Sequence, residues 1–86
     1  QFELNQNYPN PFNPNTNIIY TIQNKKHIVL KVYDALGIGV ETLINKVKQA
    51  GTHNVKFNAS LLPSGVYYYQ LSAGEFMQKR KMLYLK

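Results

Sequence analysis

The sequence predicts an all-β fold, an immunoglobulin-like antiparallel β-sandwich of about six or seven strands. Apolar residues alternate with a period of two along most of the chain, as one-sided burial of a strand requires. Strand-like runs recur roughly every 8–12 residues with turn signals between them. No window of about 11 residues sustains the i, i+3, i+4, i+7 spacing of an amphipathic helix, although Val40 to Val47 has the residues for a short helical turn. With 86 residues, 44% of them hydrophobic, seven tyrosines and four phenylalanines, the chain has material for one core. One domain is therefore expected over residues 1–86, with residues 1–15 as a packed lead-in and residues 16–86 as the sandwich.

The lead-in is set by composition. From Asn5 to Thr16 the chain holds three prolines and five asparagines around Tyr8 and Phe12. Pro9, Pro11 and Pro14 each lack a backbone donor and bias Tyr8, Asn10 and Asn13 toward extended dihedrals, so a stiff, extended segment is expected. A free linker has no use for two aromatic rings, and Tyr8 and Phe12 are read as anchors onto the folded body.

The strands follow in order. Ile18, Tyr20 and Ile22 share one face of Thr16 to Ile22, and a turn follows at Gln23 to Lys26. Ile28, Leu30 and Val32 share the inner face of a second strand, His27 to Tyr33. Asp34 to Gly37 is a turn in which the Asp34 carboxylate can accept backbone donors and Gly37 can take positive φ. A short third strand is expected at Val40 to Ile44, a turn at Lys48 to Gly51, and a fourth strand carrying His53, Val55 and Phe57. After a loop at Ala59 to Ser64 come a tyrosine-rich strand, Val66 to Ala73, a tight connection at Gly74-Glu75, and a last strand, Phe76 to Leu85. The expected inward set is Ile28, Leu30, Val32, Val55, Phe57, Tyr67, Tyr69 and Leu71. Tyr67, entering its strand just after Leu62, Pro63 and Gly65, fits a tyrosine corner, in which the phenol bonds a backbone group a few residues upstream.

Composition narrows the chemistry. There is no cysteine, which excludes a disulfide framework and thiolate catalysis. No apolar run approaches the roughly 20 residues of a membrane-spanning helix, so no transmembrane segment is expected. The chain begins at Gln1 and is read as a piece of a longer protein. The formal charge of +6 favours acidic partners: anionic polysaccharide, phospholipid or nucleic acid. Glu3, Asp34, Glu41 and Glu75 are scattered and form no acid–base pair, and Ser60, Ser64 and Ser72 have no histidine in a nucleophile-like setting. His27 and His53 have no carboxylate or thiol at ligand spacing. No catalytic group, metal or cofactor is expected. Asn58-Ala59-Ser60 fits a glycosylation acceptor pattern, to which no function is attached. Tyr67, Tyr68 and Tyr69 form either a sugar- or base-stacking platform or core, and core packing is the stronger reading, since strands favour tyrosine and Tyr67 and Tyr69 fit the core face while Tyr68 lies on the opposite one. Lys79, Arg80 and Lys81 form the one basic cluster, and a triplet of this kind also serves as a solvated edge.

Several motifs carry a resemblance. The opening Q-N-Y-P-N-P-F-N-P-N-T at Gln6 to Thr16, including Tyr8, Pro9, Asn10, Pro11 and Phe12, resembles that of C-terminal sorting domains of the type IX secretion system. The same family pattern is matched by V-Y-D-A-L-G around Asp34 and Gly37, by A-G-T-H-N-V-K-F around Gly51, and by L-P-S-G-V-Y-Y-Y-Q-L around Gly65 and Tyr67. The terminus R-K-M-L-Y-L-K, Arg80 to Lys86, is similar to the family's basic-then-apolar end. Two departures are mild: Ile38 follows Gly37 where arginine is common, and Phe57 stands where tryptophan is frequent.

The resemblance implies a non-catalytic signal that directs a fused upstream cargo through the periplasm and across the outer membrane to the cell surface or beyond. It implies translocon and shuttle proteins and a sortase-like attachment machinery as partners, with no nucleic acid. Together with the position of the basic-apolar end, it makes Lys79, Arg80, Lys81, Met82, Leu83, Tyr84, Leu85 and Lys86 a recognition segment whose lysines and backbone edge are free to meet a translocon. An immunoglobulin-like adhesion or carbohydrate-binding module is the alternative, since related sandwiches occur in flagellar hook-capping proteins and fold alone does not fix function.

Overall fold

A computed structural model describes residues 1–86 as seven strands and no helix. They are β1 (Glu3–Leu4), β2 (Asn15–Ile22), β3 (Lys26–Asp34), β4 (Gly39–Lys48), β5 (Gly51–Asn58), β6 (Gly65–Ala73) and β7 (Phe76–Tyr84). One sheet has the order β1-β2-β5 and the other β4-β3-β6-β7, and every pairing between these strands is antiparallel. The result is the expected β-sandwich.

The core follows the period-two register. Ile18, Tyr20 and Ile22 from one sheet meet Ile28, Leu30, Val32, Tyr67, Tyr69 and Leu71 from the other, all of them buried. Phe57 is fully buried, and Val55 lies half-buried against the same cluster because β5 is an edge strand.

Three expectations need correction. First, β4 runs over ten residues instead of the short Val40–Ile44 strand, and it contains no helical turn. Pairing with β3 slips twice, between Leu30 and Lys31 and between Val32 and Tyr33, leaving Leu43 and Val40 without a direct partner. Each bulge moves the side-chain phase by one residue, so Val40, Leu43 and Ile44 all pack on the core although they are not spaced by two.

Second, the lead-in is not simply extended. Its first residues form β1, which pairs Glu3 with Thr21 and Leu4 with Tyr20. Beyond them the chain bends at residues 9–11 and 13–14, with isolated bridges at Tyr8 and Phe12. Third, Tyr8 is not an anchor. It is 79% exposed, held only through backbone bonds to Asn17, and the inward position beside it belongs to Asn7.

Candidate functional site at the carboxy-terminal strand

β7 forms one edge of the four-stranded sheet, and its even-numbered and odd-numbered residues do different work. Met82 and Tyr84 are buried core. Arg80 also turns inward, where its Nε donates to the Leu4 carbonyl at 2.6 Å. Gln78 Oε1 accepts from Leu4 N at 3.3 Å, so two side chains of β7 clasp β1 across the open side of the sandwich. Lys79 and Lys81 point outward and are exposed, and Lys79 Nζ lies 5.5 Å from the Tyr68 ring centroid. The basic triplet is therefore split by the pleat: Arg80 braces the interior while Lys79 and Lys81 face solvent.

The backbone edge of β7 is not free, contrary to the sequence expectation. Phe12 N donates to the Leu83 carbonyl at 3.0 Å and Leu85 N donates to the Phe12 carbonyl at 3.1 Å, a parallel bridge that caps the edge. Asn10 Oδ1 accepts from Leu83 N at 3.0 Å, and Gln6 Nε2 donates to the Lys81 carbonyl at 2.8 Å. The lead-in covers most of the unpaired edge groups with its own donors and acceptors, which is how an exposed strand edge is protected from unwanted pairing.

Phe12 locks this arrangement. Only 2% exposed, it stacks on Tyr84 at a centroid distance of 5.3 Å and meets Phe57 edge-on at 6.1 Å. Pro9, Asn10 and Pro11 remain on the surface as the bend that delivers it.

A buried polar knot holds the same segment from below. Tyr69 Oη accepts from Asn7 N at 2.7 Å and donates to the Asn5 carbonyl at 2.7 Å. Asn7 Nδ2 donates to Thr16 Oγ1 at 3.0 Å and to the Pro9 carbonyl at 3.1 Å, and the Thr16 hydroxyl donates to that carbonyl at 2.8 Å. Burial pushes the Tyr69 phenol up to about 12, against the opposing pull of the Asn7 amide and the Arg80 charge. Asn7 and Thr16 were not singled out in the sequence, where asparagine in a proline-rich run looks like solvated loop. The available signal was the threonine that closes the opening motif.

The remaining motif residues sit at turns. Asp34 Oδ1 accepts from Leu36 N at 2.9 Å and Ile38 N at 3.0 Å, and Gly37, at φ 84°, closes the turn by donating to the Asp34 carbonyl. Gly51 and Gly65 begin β5 and β6. Tyr67 Oη donates to the Pro63 carbonyl at 2.6 Å, four residues upstream, with its phenol raised by burial and by the nearby Asp34 charge. Lys86 N donates to Ser64 Oγ at 2.9 Å, which ties the last residue to the same loop. Asn58 Oδ1 accepts from Ser60 N, so that asparagine shapes a turn. The two histidines lie apart, His27 hydrogen-bonded with Asn45 and His53 donating to the Gln49 carbonyl, and no group of three or more potential metal ligands occurs.

Comparison with known proteins agrees with this architecture. No curated protein sequence matches the chain. Among solved structures, PorZ, described as an essential bacterial surface component of the type IX secretion system of Porphyromonas gingivalis, is similar with a TM-score of 0.66 and 20% identity. That similarity covers 99% of this chain but 11% of PorZ, and at this identity it speaks for the fold. The family described as the secretion system C-terminal sorting domain matches residues 6–85, from the asparagine-rich opening to the end of the basic-apolar segment. Over nearly its whole length, then, the chain belongs to the C-terminal sorting domains of the type IX secretion system, a family of export signals.

Proposed function

We propose that this sorting domain is read by the type IX outer-membrane machinery as a folded surface, and that the reading surface is the outward face and tip of β7: Lys79, Lys81, Leu83, Leu85 and Lys86. The observation that carries this is the lead-in lying along β7, which occupies Lys81, Leu83 and Leu85 backbone groups. A partner that added a strand there would first have to displace Phe12 from the core. Recognition through exposed side chains needs no such step. Arg80, Met82 and Tyr84 then act indirectly, by shaping the strand that presents the others. In this reading the domain carries a fused upstream cargo to the cell surface. Translocon and shuttle proteins bind it, and a sortase-like machinery attaches the delivered cargo.

The test fuses the domain to the C-terminus of a periplasmically exported reporter in a host with a type IX system. The intact domain should deliver the reporter to the surface. Charge reversal at Lys79 and Lys81 together, or removal of Leu85 and Lys86, should leave it in the periplasm, while Lys46→Ala on β4 should not. Circular dichroism and thermal melts establish that each variant is folded. Surface delivery by folded, charge-reversed domain would move the recognition surface elsewhere, and periplasmic retention of the intact domain would reject the reading altogether.

A further inference from the structure

The outer face of the four-stranded sheet, opposite the core and away from the lead-in, carries a groove of about 430 Å³. Its floor is the cross-strand pair Tyr33 and Tyr68 with Gln70 beside them, its wall is the Ala35–Gly37 turn, and its rim is Lys79. A volume of this size lies in the range of small-molecule sites.

The floor hydroxyls of Tyr33 and Tyr68 and the Gln70 amide are unclaimed, while the Leu36 and Gly37 amides of the wall are used within the turn. The phenols of Tyr33 and Tyr68 lie on strands paired on both sides, so no backbone edge lines the floor and a peptide cannot add as a strand. Recognition there must use hydroxyl, amide and ammonium groups over aromatic surface, the set that suits a polyol. The charge is one-sided. No acidic residue lines the groove. Asp34, the nearest acid in sequence, has its carboxylate engaged with the backbone of its own turn. Lys79 Nζ sits 5.5 Å from the centre of the Tyr68 ring, so cation–π contact holds the rim ammonium over the floor, and Lys31 Nζ sits 5.5 Å from that of Tyr33 beside the groove. Lys81, directly across from Tyr68 in register, adds a third positive charge on this face.

We propose that this groove is a binding site for an acidic sugar residue, in which the Tyr33 and Tyr68 phenol hydroxyls and the Gln70 amide engage the sugar hydroxyls and Lys79 pairs the carboxylate. A nucleic acid is the weaker fit, because the ammonium groups already occupy the ring faces on which bases would stack. The site shares Lys79 with the proposed reading surface of β7 but is otherwise built from Tyr33, Tyr68, Gln70 and the Ala35–Gly37 turn, and its ligand is read without any secretion assay.

The test is a titration of the 86-residue chain, ¹⁵N-labelled, with tetragalacturonate, maltotetraose and inorganic phosphate in parallel, followed by amide chemical shifts. Tetragalacturonate should shift the amides of Tyr33, Leu36, Tyr68 and Gln70 saturably, and maltotetraose should bind at least about tenfold more weakly. Lys79→Gln should weaken the acidic ligand by about fivefold, as loss of one exposed charge contact allows. Tyr68→Ala should abolish binding while the remaining spectrum stays dispersed. If Tyr68→Ala unfolds, the surface change Gln70→Ala serves in its place and should weaken binding. Equal binding of maltotetraose would overturn the acidic class, equal binding of phosphate would reduce the groove to a simple anion site, and shifts elsewhere or none would reject the site.

Discussion

The Tyr69 phenol and the Asn7 backbone amide, 62 residues apart in sequence, form a buried hydrogen bond of 2.7 Å, and this pair fixes the lead-in to the sandwich. The same hydroxyl donates to the Asn5 carbonyl, so one oxygen satisfies the backbone on both sides of Gln6. Tyr69→Phe removes both bonds while keeping the ring. Stability should fall by about 2 kcal/mol, the cost of leaving buried backbone groups unpaired, read from the urea midpoint. Limited proteolysis should then cut between residues 5 and 15 before any other site. An unchanged midpoint would show that water replaces the phenol without loss.

Alkaline stability should carry the signature of the same residue. Tyr69 titrates near 12 in the folded protein against an ordinary value of 10. Its folded-state value is raised, so its contribution to stability is complete below pH 10 and is lost as pH climbs from 10 toward 12, where the unfolded chain releases the proton first. The slope from this one group reaches at most about 1.4 kcal/mol per pH unit in that window. Tyr20 and Tyr67, both raised by burial, act in the same direction. Denaturant melts at pH 8, 10 and 11 should show little change across the first interval and a marked fall across the second, shallower in Tyr69→Phe.

Phe12→Ala should cost about 3–5 kcal/mol, as expected for a buried aromatic stacked on Tyr84 and edge-on to Phe57. Tyr8→Ala, four residues earlier and exposed, should change stability by less than about 0.5 kcal/mol. Chemical denaturation of the two variants side by side is the measurement. Comparable losses would mean that the exposed ring matters in a way its burial does not account for.

Tyr67→Phe should lower stability by about 1 kcal/mol through loss of the bond to the Pro63 carbonyl. Its effect should be confined to the end of the sandwich where Lys86 meets Ser64. Hydrogen exchange at the amides of residues 60–67 and of Lys86 should speed up, with exchange at β1 and β2 unchanged.

What the sequence determined by itself was the local periodicity and its consequences. Alternation of Ile18, Tyr20 and Ile22, or of Tyr67, Tyr69 and Leu71, is imposed by the two-residue repeat of an extended backbone, so strand identity and the buried face could be read directly. Phe12 was legible as an anchor for a different reason: a large ring in a proline-bound segment has little entropy to lose and much area to bury. Val40, Leu43, Ile44 and Val47 misled because their spacing matches a helix, and the two bulges that fit it to β3 are a property of the pair of strands, not of either one. Only the tertiary structure decided that Tyr8 points out, that Asn7 and Thr16 are buried, and that the lead-in closes the edge of β7. Those outcomes depend on partners more than 60 residues away for Asn7 and more than 70 for Asn10. A buried polar side chain carries no periodic mark: it is permitted wherever the folded chain brings it a donor or an acceptor, and that is settled only when the two sheets close.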